Sequence, residues 1–418
     1  MTDIYKKKPE VLAPVGSFDS LKAAINAGAD SIYFGVEQLN MRTRSSNTFS
    51  IDDIKEVSQL CKAAGIKAYI TLNTIMYEHD MQLLKSILQE VKKQKIDAVI
   101  AADFSVIEYC SQLNIPLHIS TQANVSNIES VQFFSRFADV IVLARELTLK
   151  QVEHICKEIK RRRITGPSGD LVKIELFVHG ALCMAISGKC YLSLHSENAS
   201  ANRGACVQNC RRSYTVTDTQ TKEELLIDNE YIMSPKDLCT ISVLDQVIAS
   251  GVGVLKIEGR TKGSDYVYTV TKCYTEAVAA IASKTFTQNK IGEWLKELGK
   301  VYNRGFWEGY YLGRELGEWT STPGSIATEK KIYIGKGTKY YPRINVAEFI
   351  VETGNIKKGD TIMISGPICG MVKENFETLI VNGEEGNEAK KGDKITFPFA
   401  VKVTAKDKLY KIVASEYA

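Results

Sequence analysis

Short apolar runs rich in Val, Ile, Tyr and Ala alternate with stretches whose apolar positions recur at helical spacing. The runs are 11–14, 31–35, 67–74, 98–103, 117–120, 140–145, 174–180 and 252–260. Between them, Leu21, Ala24 and Ile25 share one helical face, as do Ile54, Val57 and Leu60, then Leu83, Ile87, Leu88 and Val91, then Val152, Ile155 and Ile159. Eight strands, each followed by a crossover helix, predict an α/β protein built as a TIM-like parallel (β/α) barrel. A parallel sheet covered on both faces reads as near-continuous apolar runs, and strict βα alternation favours α/β over α+β. A doubly wound open sheet fits the same spacing.

The seventh unit departs from the pattern, because about seventy residues separate 174–180 from 252–260. Insertions of that size at βα loops are where barrel enzymes keep function. From Lys330 the pattern becomes short alternating strands punctuated by turn signals, Thr353-Gly354-Asn355, Lys358-Gly359-Asp360, Asn382-Gly383 and Lys391-Gly392-Asp393. The expected organisation is a barrel over 1–284 with a loop insertion at 181–251, a helical and aromatic connector over 285–329, and a small all-β barrel over 330–418.

The 418 residues carry 53 Lys+Arg against 49 Asp+Glu, a net charge of +4, so any nucleic-acid footprint is a local patch. The first residues contain no apolar segment long enough for a signal peptide. No later window reaches the roughly 18 uninterrupted apolar residues of a membrane span. The expectation is a cytoplasmic protein. In that compartment ten cysteines are many, and four of them, Cys183, Cys190, Cys206 and Cys210, fall within 28 residues. Such a cluster points to metal or redox chemistry rather than disulfides. Four thiolates from one loop suit either Zn²⁺ or an iron–sulfur cluster, and the irregular spacing lacks the paired C-x2-C knuckles of zinc ribbons.

The segment Glu175-Leu176-Phe177-Val178-His179-Gly180-Ala181-Leu182-Cys183, continuing through Gly188, Cys190, Leu192 and Ser193, resembles the signature of the collagenase-like peptidase family of unassigned catalytic type. Similarity extends to Leu12-Ala13-Pro14, Gly28-Ala29-Asp30, Asn73-Thr74, Ser120-Thr121-Gln122-Ala123-Asn124, Ser234-Pro235-Lys236-Asp237-Leu238 and Lys256-Ile257-Glu258-Gly259-Arg260, and so covers most of 9–320. Within the family, Gly204-Ala205-Cys206 through Cys210-Arg211-Arg212 is most similar to the branch that hydroxylates tRNA wobble uridine and is associated with prephenate. The resemblance implies a [4Fe–4S] cluster held by Cys183, Cys190, Cys206 and Cys210, prephenate as co-substrate and tRNA as partner. Other branches act on ribosomal RNA or in quinone hydroxylation. The ring carbon is inert in water, so a hydroxyl arriving there needs an activated donor or redox centre rather than acid–base catalysis alone.

The peptidase name finds no H-E-x-x-H zinc motif and no G-x-S-x-G elbow on a strand-to-helix turn. Peptide hydrolysis and a non-catalytic, zinc-stabilised RNA-binding protein are the alternatives. In a barrel the strand C-terminal ends form the active-site rim, which gathers Asn73, Asp103, Gln122, Asn124, Arg145, His179, Glu258 and Arg260 beneath the cysteine loop. Arg145, Glu258, Arg260, Gln122 and His179 are the catalytic candidates. A guanidinium closing an apolar strand needs an anionic partner, met by prephenate carboxylates or RNA phosphate, or for Arg260 by Glu258. Arg42 and Arg44 occupy a polar loop on the same side. Lys160-Arg161-Arg162-Arg163 ends a helix and is explained by the helix C-terminus or by RNA. Cys239 is an alternative fourth ligand or a core thiol. Trp307, Tyr310 and Tyr311 suit either interdomain packing or stacking on a base.

Overall fold

The computed structural model describes residues 8–42, 49–215, 217–222, 233–313, 317–322, 324–375 and 377–417. The strands β1 (Glu10–Pro14), β2 (Ser31–Gly35), β3 (Lys67–Leu72), β4 (Ala98–Ala101), β5 (Leu117–Ile119), β6 (Val140–Val142) and β7 (Lys173–Gly180) pair in parallel in chain order. A short β8 (Asp237–Cys239) follows, then β9 (Val254–Ile257). β9 pairs in parallel with both β7, Glu175 facing Val254, and β1, Glu10 facing Val254. That double pairing closes an eight-stranded parallel barrel and excludes the open doubly wound sheet.

Helices cover the outside as the spacing requires. α1 (Phe18–Asn26), α2 (Asp53–Ala64), α3 (Met81–Gln94), α4 (Phe104–Gln112), α5 (Ile128–Phe134) and α6 (Leu149–Arg162) alternate with the first seven strands. α6 shows how one forms: Thr148 and Gln151 make a reciprocal capping box, Val152, Ile155 and Ile159 are buried, and the chain leaves through Arg163 in the left-handed region. On α2 the apolar face is shifted by one residue from expectation. Leu60 is 37% exposed, and Cys61 is buried beside Ile54 and Val57.

The predicted runs overshoot the strands at their functional ends. Strand pairing stops at Leu72, Ala101, Ile119, Val142 and Ile257, so Asn73, Asp103, Arg145, Glu258 and Arg260 lie on the turns just beyond. Asn73 and Asp103 there offer the backbone side-chain acceptors in place of sheet partners. Asp103 accepts from Ser105 N as the cap of α4 and from Met76 N, each at 2.9 Å.

The cysteine-bearing insertion leaves β7 and contains the short α7 (Leu192–Glu197). It returns through β8, which pairs antiparallel with the end of β7, while β10 (Phe306–Trp307) pairs in parallel with β8. α8 (Leu244–Ala249), α9 (Ser264–Ala282) and α10 (Gln288–Lys300) complete the shell. From Glu329 an eight-stranded antiparallel sheet and a two-stranded one enclose a separate core around Phe349, Ile362, Ile395 and Leu409. This unit docks on α1. Gly370, with φ +74°, comes so close that a Cβ there would lie 2.7 Å from Ala23 N, and Ser264 and Ser365 hydroxyls meet at 2.7 Å. Among the described residues no helix is long and apolar enough to cross a membrane.

Candidate functional site at the barrel mouth

Three guanidinium groups gather around one carboxylate at the C-terminal end of the barrel. Glu258 and Arg260 follow β9 and are 9% and 7% exposed. Arg42, from the loop after β2, meets Glu258 Oε1 at 2.6 Å. Tyr33 donates its hydroxyl to Ile257 O at 2.8 Å and sits 3.3 Å from Glu258 Oε2. Arg260 donates through Nη1 to Thr71 Oγ1 at 2.5 Å and to Asn40 Oδ1 at 3.2 Å. Arg145 lies with its guanidinium 3.8 Å from the centre of the Phe177 ring and donates through Nη1 to Ala181 O at 2.9 Å, leaving a buried Nε without a partner. Burial pushes the Glu258 carboxyl up, but Arg42, Arg145 and Arg260 outweigh burial and hold it at about 2. Burial brings Arg260 down to about 10.

Glu258 therefore takes Arg42 rather than Arg260, one of the alternatives, as its ion-pair partner. Arg42 comes from the polar loop on the same side, while Arg260 is held by two neutral oxygens. The signal for Arg42 was present in its place on the rim, but nothing in sequence spacing tells that Arg42, 216 residues away, is the arginine that pairs with Glu258. Arg44 lies outside the described residues.

The cysteine loop sits beside this mouth. Cys183 is exposed, and Cys190, Cys206 and Cys210 are half-buried. Arg211 clamps the two ends of the loop, donating to Leu182 O at 2.6 Å, Pro235 O at 2.7 Å and Ser234 Oγ at 2.9 Å. Farther out, Arg203 donates to Ile75 O at 2.7 Å and pairs with Asp80, tying the loop to the turn after β3. Burial raises the Cys210 thiol; Arg211 opposes that rise, and the charges of Cys183, Cys206 and Cys190 add to it, which places the four sulfurs in one neighbourhood. Among the described residues no three His, Cys, Asp or Glu side chains already converge as a metal-binding group. The loop thus supplies four soft donors, the chemistry a thiolate-held centre needs, without holding them in a closed shell.

The other predicted residues divide. Gln122 reaches the underside of the cysteine loop: a Cβ on Gly188, whose φ is +77°, would lie 2.1 Å from Gln122 Oε1, itself buried without a partner. Asn124 has φ +53° and donates to Gln122 O at 2.9 Å. Asn73 lies 3.4 Å from both Met41 N and Ser120 Oγ, tying neighbouring rim loops together. His179 is buried among the rings of Tyr266, Tyr274 and Phe306, where desolvation lowers it to about 3, a neutral imidazole at ordinary pH. Cys239 is buried against Tyr274 and pushed up to about 12 by burial. Arg161 and Arg162 are engaged by Glu158, and Arg162 also by Glu129. Tyr311 donates to Phe177 O at 2.7 Å and Trp307 to Lys236 O at 3.1 Å, while Tyr310 is half-buried beside Trp307.

Sequence reasoning missed a charged group inside the barrel. Lys256 Nζ meets Glu175 Oε1 at 2.6 Å, with His118 Nδ1 at 3.5 Å from Glu175 Oε2. All three are charged or titratable residues inside apolar runs, and that exception to the pattern was the available signal.

The family model of peptidase family U32 matches residues 16–321. A collagenase of Porphyromonas gingivalis is 51% identical over 402 residues, covering 96% of this chain and 97% of that protein. The tRNA hydroxylation protein P1 of Bacillus subtilis is 32% identical over 394 residues, covering 92% and 89%. A 23S rRNA 5-hydroxycytidine synthase of Escherichia coli is 35% identical over 276 residues, covering 65% of this chain and 39% of that protein.

Proposed function

The chain belongs to peptidase family U32, the collagenase-like family, and from that membership we propose that it is an RNA-modifying hydroxylase that places the 5-hydroxyl on tRNA wobble uridine. The observation that carries this reading is the arginine-rich mouth: Arg42, Arg145 and Arg260 around Glu258, beside a four-cysteine loop. The Bacillus and Escherichia relatives are both named for RNA hydroxylation, and the former spans nearly the whole length of this chain.

Three guanidinium groups against one carboxylate leave two positive charges in a largely buried place. Burying unpaired charge is costly, so the arrangement favours a ligand bearing two carboxylates, and prephenate is such a ligand. Arg145 and Arg260 are the groups to bind it, since their planar forks pair bidentately with carboxylate. Glu258 and Arg42 hold the pocket's shape, and Gln122 supports the loop above it. Cys183, Cys190, Cys206 and Cys210 would hold a [4Fe–4S] cluster, which would supply the electron transfer that side chains lack.

The test is anaerobic purification with iron and sulfide analysis, followed by single Cys→Ala variants. Each of the four should lose iron, whereas C239A should retain it. Full iron in C206A or C210A, with loss in C239A, would transfer the fourth ligand to Cys239.

A second reading, peptide hydrolysis, is favoured by the name of the 51% identical relative. It requires collagen cleavage that survives in the cluster-free Cys→Ala variants. The RNA reading requires 5-hydroxyuridine to be missing in a strain lacking the enzyme and restored by the wild-type chain alone.

A further inference from the structure

Beside the arginine-rich mouth lies a second cleft, and we propose that it receives one unstacked nucleobase of the RNA. The proposal rests on the RNA reading above and names its base subsite. Part of its lining is aromatic: Trp307, Tyr310 and Trp319 line the cleft together with Arg145 and Cys183.

The aromatic part is built to stand where it does. Trp307 is 3% exposed and fixed by its indole N–H on Lys236 O. Tyr310 meets it edge-on, ring centres 5.3 Å apart. Trp319 is carried by a short antiparallel pairing with Pro235, reinforced by Lys236 N to Glu318 O and Thr320 N to Ser234 O, both 2.9 Å. Gly317 lies against the same rings: a Cβ there would stand at contact distance, 3.4 Å from the Tyr310 hydroxyl and 3.5 Å from Trp307. Despite this support Trp319 remains 37% exposed. A large ring held by backbone pairing and left partly open to a cleft is a stacking platform rather than core.

The polar part of the lining explains why the occupant is a base. Arg145 and Glu146 both line the cleft, and Arg145 keeps a buried Nε without a partner. A nucleobase carries a π-face for the aromatic part together with donors and acceptors along its edge, so it uses both parts. A plain aromatic ring would leave the polar part unanswered. Arg145 also borders the Glu258 group, so a base in this cleft would sit between the dicarboxylate subsite and Cys183 of the cysteine loop. Enzymes that react on a base take it out of its stack into such a pocket.

The test is a binding cycle on the full-length protein. Anticodon stem–loop RNAs, one intact and others each carrying a single abasic nucleotide in the loop, are titrated against wild type, W319A and W319F. Stacking on one side chain predicts that W319A weakens binding of the intact RNA by about 5- to 150-fold, with W319F close to wild type. One abasic position should weaken wild-type binding comparably, and W319A should add nothing further on that RNA. An equal W319A effect on every RNA, or no effect on the intact one, overturns the base subsite while leaving the hydroxylase reading in place. Absence of stem–loop binding by wild type overturns both.

Discussion

Two of the buried charge groups that the barrel carries are built differently. Inside the barrel Lys256 and Glu175, 4% and 0% exposed, form a one-to-one pair at 2.6 Å with His118 alongside, and Lys256 also lies 4.5 Å from the Tyr33 ring centre. At the mouth three arginines share Glu258. The inner pair is balanced and joins β7 to β9, the contact through which the barrel closes. The outer group carries surplus positive charge, which a fold has no structural reason to gather. On the reading proposed above, the surplus at the mouth is what a ligand with two carboxylates would answer.

The largest expected effect comes from breaking the balanced pair. Lys256→Met keeps most of the apolar stem but removes the ammonium and strands the Glu175 carboxylate in a fully buried place. Removing one partner of a buried pair costs about 3–5 kcal/mol. Urea unfolding should show that loss directly, and the double variant K256M/E175L should recover much of it. A K256M protein as stable as wild type would take the pair out of the fold's support.

At the mouth the expectation reverses, with function lost and fold kept. Arg145→Lys and Arg260→Lys retain the charge but lose the bidentate fork, so each should weaken dicarboxylate binding by roughly 1.5–3 kcal/mol. Calorimetric titration with prephenate reads the binding, and mass spectrometry of tRNA from a strain lacking the native enzyme reads the consequence. Unchanged unfolding midpoints with 5-hydroxyuridine lost would separate this group from the inner one. Normal hydroxylation in both variants would remove the arginines from the site.

The contrast also shows what the sequence could and could not reveal. All eight barrel strands were legible, because a strand buried on both faces writes itself as a run such as Ala98–Ala101 or Val140–Val142. The rim residues were legible as a set, since each closes an apolar run. Pairings within that set were not. Arg42 and Arg145 come from loops far from Glu258 in sequence, and only closure of the barrel through β1 and β9 brings them to it. Trp319 was overlooked for a similar reason: its position on the cleft depends on pairing with Pro235, a contact across 84 residues that no local periodicity records. Leu60 and Cys61 exchanged roles because a helix face one residue wider fits the same apolar pattern.

The smallest expected effect sharpens the comparison through pH. Glu258→Gln preserves volume and hydrogen-bonding oxygen, and Arg42 is itself 35% exposed, so solvent takes up part of what the carboxylate supplied. The native carboxyl titrates at about 2, against roughly 4.3 in an unfolded chain. A depressed carboxylate stabilises the folded state above its unfolded pKa and loses that contribution as pH falls through the folded one. The stability gap between wild type and E258Q, read from urea midpoints, should therefore be flat from neutral pH down to about 5 and shrink toward zero near pH 2. With saturating dicarboxylate present the gap should narrow at neutral pH as well, because the ligand's own charge then neutralises the same arginines. A gap that widens on acidification, or that the ligand leaves untouched, would mean that Glu258 does not answer to this group of arginines.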